Sequence, residues 1–350
     1  MANWAIWIDK NCKPSIHAVE TNYEPLDNEV LVNVQYSGIN PADIKHATIG
    51  FYDSVAGYDF AGIVIKSGRE KESQFKQGDR VLGFAAPTVD KPQQYGTHQD
   101  FHCARHFIYH VPVHMPMTDA ACLLVVTHTA ADAIFNQLEL PLSPNGDKSQ
   151  PLLIWGGSGA VGSSAIQFAK KAGCHPILVT ASPKNHSKLL ELGATECFDY
   201  NDKEVVSQIR LAVARYTSKP LRRVFDSIVA PTEPSSTALC EACVDDASDT
   251  LFTSPIPVKN GTKIWRRSFA CRNVDVDFKL PNGQVLIHRA NHDLQDIIDQ
   301  ATKWAIENYG KEYRLPSIVV VKGGEEGMQA MRESANGKAS MQKFVIEHPI

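Results

Sequence analysis

The 350-residue sequence predicts an α/β protein in which a β-rich domain is followed by a doubly wound parallel-sheet domain. Three observations carry this. Up to residue 125, short runs rich in Val, Ile, Tyr and Phe alternate with glycine turns. From Leu152 the rhythm becomes strand, helix, strand, helix, which builds a parallel sheet covered by helices on both faces. Between the first of those strands and its helix stands "GGSGAVG".

In chain order, "EVLVNVQYSGI", "FAGIVIKSG" and "DRVLGFAA" read as strands, punctuated at Gly57, Gly68, Gly78-Asp79 and Gly83. The stretch "THQDFHCARHFIYHVPVH" follows, with histidines at 98, 102, 106, 110 and 114. Four-residue spacing suits two metal ligands on adjacent helical turns. This stretch is rich in strand formers and is broken by Pro112, so it reads as strand, where successive histidines stand about 13 Å apart and cannot share one ion. The polar "LSPNGDKSQP", residues 142–151, is a surface connection. Beyond it "LLIW" is a buried strand, 158–172 a helix, "PILVT" a strand and 183–192 a second helix. "ECFDY" and "RRVFDSI" are further strands around a helix starting near Asp202. Residues 292–308 carry Leu294, Ile297, Ile298, Ala301, Trp304 and Ala305 at helical spacing, and the chain closes as strand, helix, strand. The expected division is 1–125 with 290–350, and 126–289.

A net charge of −4 without runs of like charge gives no pull toward nucleic acid, so small molecules are the expected ligands. No stretch is long and apolar enough for a membrane span, and "MANWAIWIDKNCKP" has no leader pattern, so the cytoplasm is expected. Eight scattered cysteines imply reduced thiols; the CxxC pair Cys240 and Cys243 lacks the further ligands a zinc needs.

The chemistry begins at the glycines. Gly157, Gly159 and Gly162 form GxGxxG directly after a strand and before a helix. Glycine permits the tight turn, the close approach of backbone to a pyrophosphate and the packing of helix on strand, and the helix N-terminus then offers its amides to the anion. Gly157, Ser158, Gly159, Ala160, Val161 and Gly162 are therefore the dinucleotide-binding candidates. A site for NAD ends its second strand with an acid that binds the ribose hydroxyls. "LVTASPKNHSK" has none. It offers Thr180, Ser182, Lys184 and Lys188, with Tyr200 one strand later, and hydroxyls and cations suit a 2′-phosphate. The expected cofactor is NADPH.

The segments "SGINPADIK" (37–45), "GYDFAGIVIKSG" (57–68), "QGDRVLGF" (77–84), "AACLLVVTHTAADAIF" (120–135), "GGSGAVG" (156–162) and "GKASMQKFVI" (337–346) together resemble the medium-chain dehydrogenase/reductase superfamily over nearly the whole chain. The resemblance implies a GroES-like catalytic domain and a Rossmann cofactor domain. Zinc-dependent members carry a cysteine in the first segment and a His-Glu pair in the second. Here Ile39-Asn40-Pro41 and Gly57-Tyr58-Asp59 stand instead, so the sequence resembles the zinc-independent branch. "INPAD" is similar to quinone oxidoreductases, and "TASPKNHSKLLELGATECFDY" with "RRVFDSI" to the trans-acting enoyl reductases that partner fungal polyketide synthases.

That likeness implies hydride transfer from NADPH to the β-carbon of an α,β-unsaturated thioester, free or carrier-bound, with a polyketide synthase as partner and a monomer or homodimer as the assembly. It implies a catalytic role for Lys45 as cation or proton source, for Thr129 as donor to the nicotinamide ribose or substrate carbonyl, and for Tyr58 as a pocket hydroxyl. It places Asn40 and Lys343 beside the cofactor and offers His128 as another proton donor. The residues alone leave the plainer readings open: a surface lysine, a helix-start cap, a filler ring, a turn asparagine, a structural histidine. A quinone or alkenal reductase, a non-catalytic NADPH-binding relative and a redox-neutral enzyme are the alternative functions. Residues 229–289 fit no pattern, and the resemblance puts them beside the substrate pocket.

Overall fold

The computed structural model describes residues 3–20, 22–88, 91–144, 149–245, 249–258, 261–280 and 282–350. The chain divides into two compact units, Met1–Val125 with Arg272–Asn291 and Ser317–Ile350, and Val126–Cys271 with His292–Pro316. This differs from the expected division at two segments. Strands Val276–Lys279 and Val285–His288 form a hairpin in the first unit, where Phe278 meets Phe51 edge-on at 5.5 Å. Helix His292–Glu307 lies in the second unit, because its apolar face is taken up there: Trp304 sits 6.0 Å from the Phe168 ring, and Asn136 donates to the Leu294 carbonyl at 3.0 Å. Sequence periodicity finds such a face but not what it covers.

In the first unit, a seven-stranded sheet runs in the order Ser317–Lys322, Gln342–Glu347, Val30–Gly38, Asp59–Ser67, Arg80–Phe84, Ile108–His110, with Phe101–Ala104 also paired to Val30–Gly38. A three-stranded sheet joins Pro14–Val19, Asn3–Ile8 and Ser54–Val55. Ile6 and Ile8 fill a core with Ile39, Met331 and Ile346. The histidine stretch is less regular than expected. Only His102 and His110 lie in strands, since the chain turns between them at Phe107 with φ of 50°. His98 is fully buried between Ser37 Oγ (2.9 Å) and Asp43 Oδ2 (3.2 Å).

The second unit holds a six-stranded sheet, all parallel: Glu196–Phe198, His175–Thr180, Ser149–Trp155, Arg223–Asp226, Leu251–Ser254, Trp265–Arg267. Numbered along the unit this is the order 3-2-1-4-5-6, whose topological switch falls between the first and fourth strands, where open α/β sheets bind ligands beyond the strand ends. Cys240 and Cys243 are buried in its core, and burial pushes the Cys243 thiol up to about 12, so both act as small hydrophobes. Of the expected connection at 142–151, residues 145–148 fall outside the described residues.

A buried polar knot ties the first unit together. The Lys343 ammonium donates to the Ile39 carbonyl (2.9 Å) and Asn40 Oδ1 (2.8 Å) and lies 3.7 Å from Asp59. Asn40 Nδ2 donates to Asp59 Oδ2 at 3.0 Å, and the Val125 amide donates to Asp59 Oδ1 at 2.9 Å. Asn40, Asp59 and Lys343 are each at most 5% exposed. Burial pushes Asp59 up to about 6 in spite of Lys343. The folded chain thus holds this proton more tightly than the unfolded chain, and Asp59's contribution to stability is lost as pH rises from about 4 through about 6. Asp59→Asn leaves the buried Lys343 ammonium without its anion and turns an amide N–H toward one of the two donors that Asp59 accepts, so it is expected to be less stable than wild type by about 2–4 kcal/mol in urea unfolding at pH 7. A variant as stable as wild type at pH 7 would show that Lys343 does not require a charged partner.

Candidate active site

In the second unit, the strand Ser149–Trp155 ends at a turn that only glycine can make. Gly156 has φ of 90°, and a Cβ on Gly162 would lie 2.4 Å from the Gly156 carbonyl oxygen. Helix Ala160–Lys171 starts at Gly159, with no side chain capping it, so its first-turn amides are left for a ligand. A Cβ on Gly159 would meet nothing closer than 3.6 Å, so the backbone here stands open to an approaching group. This is the opening that a dinucleotide diphosphate needs. Gly157, Ser158, Gly159, Ala160, Val161 and Gly162 all lie in or directly after this turn.

Two neighbours brace the turn, and reading the sequence did not assign them this role. Thr180 is buried, and its Oγ1 accepts the Gly156 amide at 3.0 Å, so it is a strut rather than a ribose contact. Ser227, after the fourth strand, donates to the carbonyls of Trp155 (2.8 Å) and Gly156 (3.0 Å). Its neighbour Asp226 is buried and accepts Ser236 Oγ at 2.6 Å together with the amides of Ile228 and Val229. At the end of the second strand, Ser182 Oγ and Tyr200 OH lie 3.2 Å apart, and Lys184 is exposed on the turn between them in sequence. The structure thus brings two hydroxyls together there, with an exposed lysine two residues from Ser182.

Thr129 and His128 sit in helix Leu124–Ala131. Several helical residues precede Thr129, so it is not a helix-start cap; it is 7% exposed. His128 Nδ1 lies 2.7 Å from the Ala270 carbonyl and must be the protonated nitrogen in that bond. Burial pulls its pKa down to about 4, so it is a neutral imidazole near pH 7 and a poor acid.

In the first unit, a small cleft is lined by Asp43, Phe51, Tyr58, Pro87, Thr88 and Lys91, with apolar walls from Ile8 and Val55. Its free interior of about 10 Å³ is the size that holds a water. Tyr58 is 6% exposed, and its hydroxyl is 2.7 Å from His46 Nδ1. The Lys91 ammonium lies over the Tyr58 ring at 5.4 Å from its centroid. Reading the sequence did not single out Lys91, which has no motif around it. Lys45, which it did, is exposed on the short helix Ala42–Lys45. Asn40 and Lys343 face inward, their donors committed to the knot with Asp59. These residues do not fit a catalytic zinc: the Tyr58 hydroxyl is engaged with His46 and Asp59 with Asn40 and Lys343. Among the described residues, no group of three or more His, Cys, Asp or Glu side chains is arranged to hold a metal ion.

Comparison with known proteins agrees with this architecture. The model of the alcohol dehydrogenase GroES-like domain matches residues 26–111, and that of the zinc-binding dehydrogenase matches residues 160–240. The chain is 30% identical to a trans-enoyl reductase of Aspergillus japonicus over 328 residues, which are 91% of this chain and 89% of that one. It is 30% identical to a trans-enoyl reductase of Alternaria alternata over 337 residues, 92% of each chain. The crystal structure of CurK enoyl reductase superposes with a TM-score of 0.70 at 19% identity, covering 99% of both chains, which shows a shared fold. The chain therefore belongs to the medium-chain dehydrogenase/reductase superfamily, as an oxidoreductase related to the fungal trans-enoyl reductases.

Proposed function

We propose that this protein is a cytoplasmic, NADPH-dependent, zinc-independent enoyl reductase that acts in trans on an α,β-unsaturated thioester carried by a polyketide synthase. The observation that carries the reading is the likeness, over about nine-tenths of both chains, to proteins named trans-enoyl reductases. It is supported by a first unit whose would-be metal positions hold a tyrosine and a tied carboxylate. The open turn at Gly159 and the amides of Ala160 and Val161 would hold the diphosphate. Ser182, Lys184 and Tyr200 would hold a 2′-phosphate. Bound there, NADPH supplies a hydride for the β-carbon of the substrate.

The chain's own residues have to supply donors for the enolate oxygen and a proton for the α-carbon. In this reading the Thr129 hydroxyl donates to the substrate carbonyl or the nicotinamide ribose, and Lys45 contributes a cation. Lys45 stands in water, where a charge is weakened by the solvent dielectric. Tyr58, buried and hydrogen-bonded to His46, is the alternative carrier of the proton.

Three measurements test this reading. NADPH absorbance is expected to fall with an enoyl thioester and not with a quinone, an alkenal or a ketone; consumption of the quinone or alkenal alone would overturn the substrate. Gly159→Ala, which the fold has room for, is expected to unfold at the wild-type temperature yet bind NADPH about tenfold more weakly, whereas Gly162→Ala loses stability as well. Unchanged affinity in Gly159→Ala would move the diphosphate elsewhere. Lys184→Ala with Tyr200→Phe is expected to weaken NADPH about tenfold while leaving NADH unchanged, as read by fluorescence titration.

A further inference from the structure

The cleft around Tyr58 contains a cation that no motif announces. Lys91 is half-buried, and among the described residues its ammonium has no hydrogen-bond acceptor. The groups facing it are the Tyr58 ring, the Asp43 carboxylate on helix Ala42–Lys45 and the His102 imidazole on strand Phe101–Ala104. Asp43 is 4% exposed; its Oδ2 is engaged by the Asn40 amide and by His98, while Oδ1 is buried with no partner. His102 is fixed through Nδ1 to the Gln94 carbonyl at 3.1 Å, and burial pulls its pKa down to about 3, so it brings no charge near neutral pH. Tyr58 is thus held between two groups: His46 at its hydroxyl and Lys91 over its ring.

We propose that Lys91 is the positioning residue that makes Tyr58 an acid, by placing a cation over the ring whose phenolate form it stabilises. A positive charge at this distance favours the ionised phenol, and the burial of Tyr58 strengthens the effect relative to water. The catalytic consequence rests on the enoyl reductase reading; the electrostatic one does not. In that reaction a nicotinamide cofactor held at the glycine turn would supply the hydride for the β-carbon and leave oxidised. The C=C electron pair passes into the thioester enolate, and the enolate takes the Tyr58 O–H proton at its α-carbon. The resulting phenolate sits under the Lys91 ammonium and regains a proton from solvent through His46, which closes the cycle with one hydride and one proton added. Burial lowers the Lys91 pKa to about 8, so its charge is present below that pH and is lost above it.

The test follows the 13Cζ resonance of labelled tyrosine in the full-length protein, with Tyr58→Phe assigning the peak. Because Lys91 itself loses its proton near 8, the comparison is between variants: in Lys91→Arg, whose charge persists, Tyr58 is expected to titrate at least about one pH unit lower than in Lys91→Met. For enoyl thioester reduction, the wild-type rate is expected to fall above about pH 8; Lys91→Met lowers kcat about tenfold without that limb and with KM unchanged, and Lys91→Arg restores kcat and moves the limb upward. A Tyr58 titration at the same pH in Lys91→Arg and Lys91→Met would overturn the proposal. Should Lys91→Met not fold, equal titration in Lys91→Arg and Lys91→Gln overturns it equally. If wild type reduces no enoyl thioester, the function reading fails while the Tyr58 titration still decides the role of Lys91.

Discussion

The first unit depends on one buried carboxylate. Asp59 begins a central strand, and its two oxygens receive the Asn40 side chain from the turn after Val30–Gly38 and the Val125 amide, with Lys343 of strand Gln342–Glu347 3.7 Å away. Pieces of chain some 300 residues apart in sequence therefore meet at one anion. Desolvating that anion is costly, as its upward shift shows, and the cost is tolerated because three donors converge on it. The turn that holds Asn40 leads straight into Asp43, whose amide and side-chain contacts orient the short helix and the floor of the Tyr58 cleft.

The second unit meets a different constraint, the closeness of helix and strand at a phosphate turn. A Cβ on Gly157 would lie 2.2 Å from Val179, and one on Gly162 would strike the Gly156 carbonyl. The turn is held by Thr180 on one side and Ser227 on the other, the ends of the two strands that flank the first. Asp226 fixes the second of these by gathering the loop amides after the strand. The glycines supply the space and the hydroxyls keep it open; both are needed for the uncapped helix start to remain accessible.

How much of this was legible follows from which constraints are local. Strand alternation and the glycine turn arise from the residues that carry them, so the parallel sheet and the dinucleotide turn could be read directly. Tertiary choices could not. The strands Asn3–Ile8 and Pro14–Val19 are short and partly exposed, and nothing in their composition says which sheet they join. Asn40 and Lys343 read as cofactor contacts from a resemblance; in the fold Lys343 donates to Asn40 and Asn40 to Asp59, a chain of contacts no spacing reveals. The regular histidine spacing suggested one continuous strand, but a left-handed residue at Phe107 breaks it and His98 is recruited by Asp43. Lys91 is the clearest case: a lone lysine in a loop acquires chemical meaning only from the ring and carboxylate that tertiary structure brings to it.

Two lysines of the first unit, Lys343 and Lys91, meet buried negative charge in different ways. Lys343 lies 3.7 Å from Asp59, and Lys91 is coupled electrostatically to Asp43. Lys343 is locked, with fixed acceptors at Ile39 and Asn40 and the Asp59 carboxylate 3.7 Å away, so its charge serves the fold. Among the described residues Lys91 has no such acceptors, and desolvation lowers its pKa to about 8. One cation therefore holds the architecture and the other can respond to chemistry beside it. On the proposed reading, this leaves the Tyr58 position to carry a proton rather than to bind a metal.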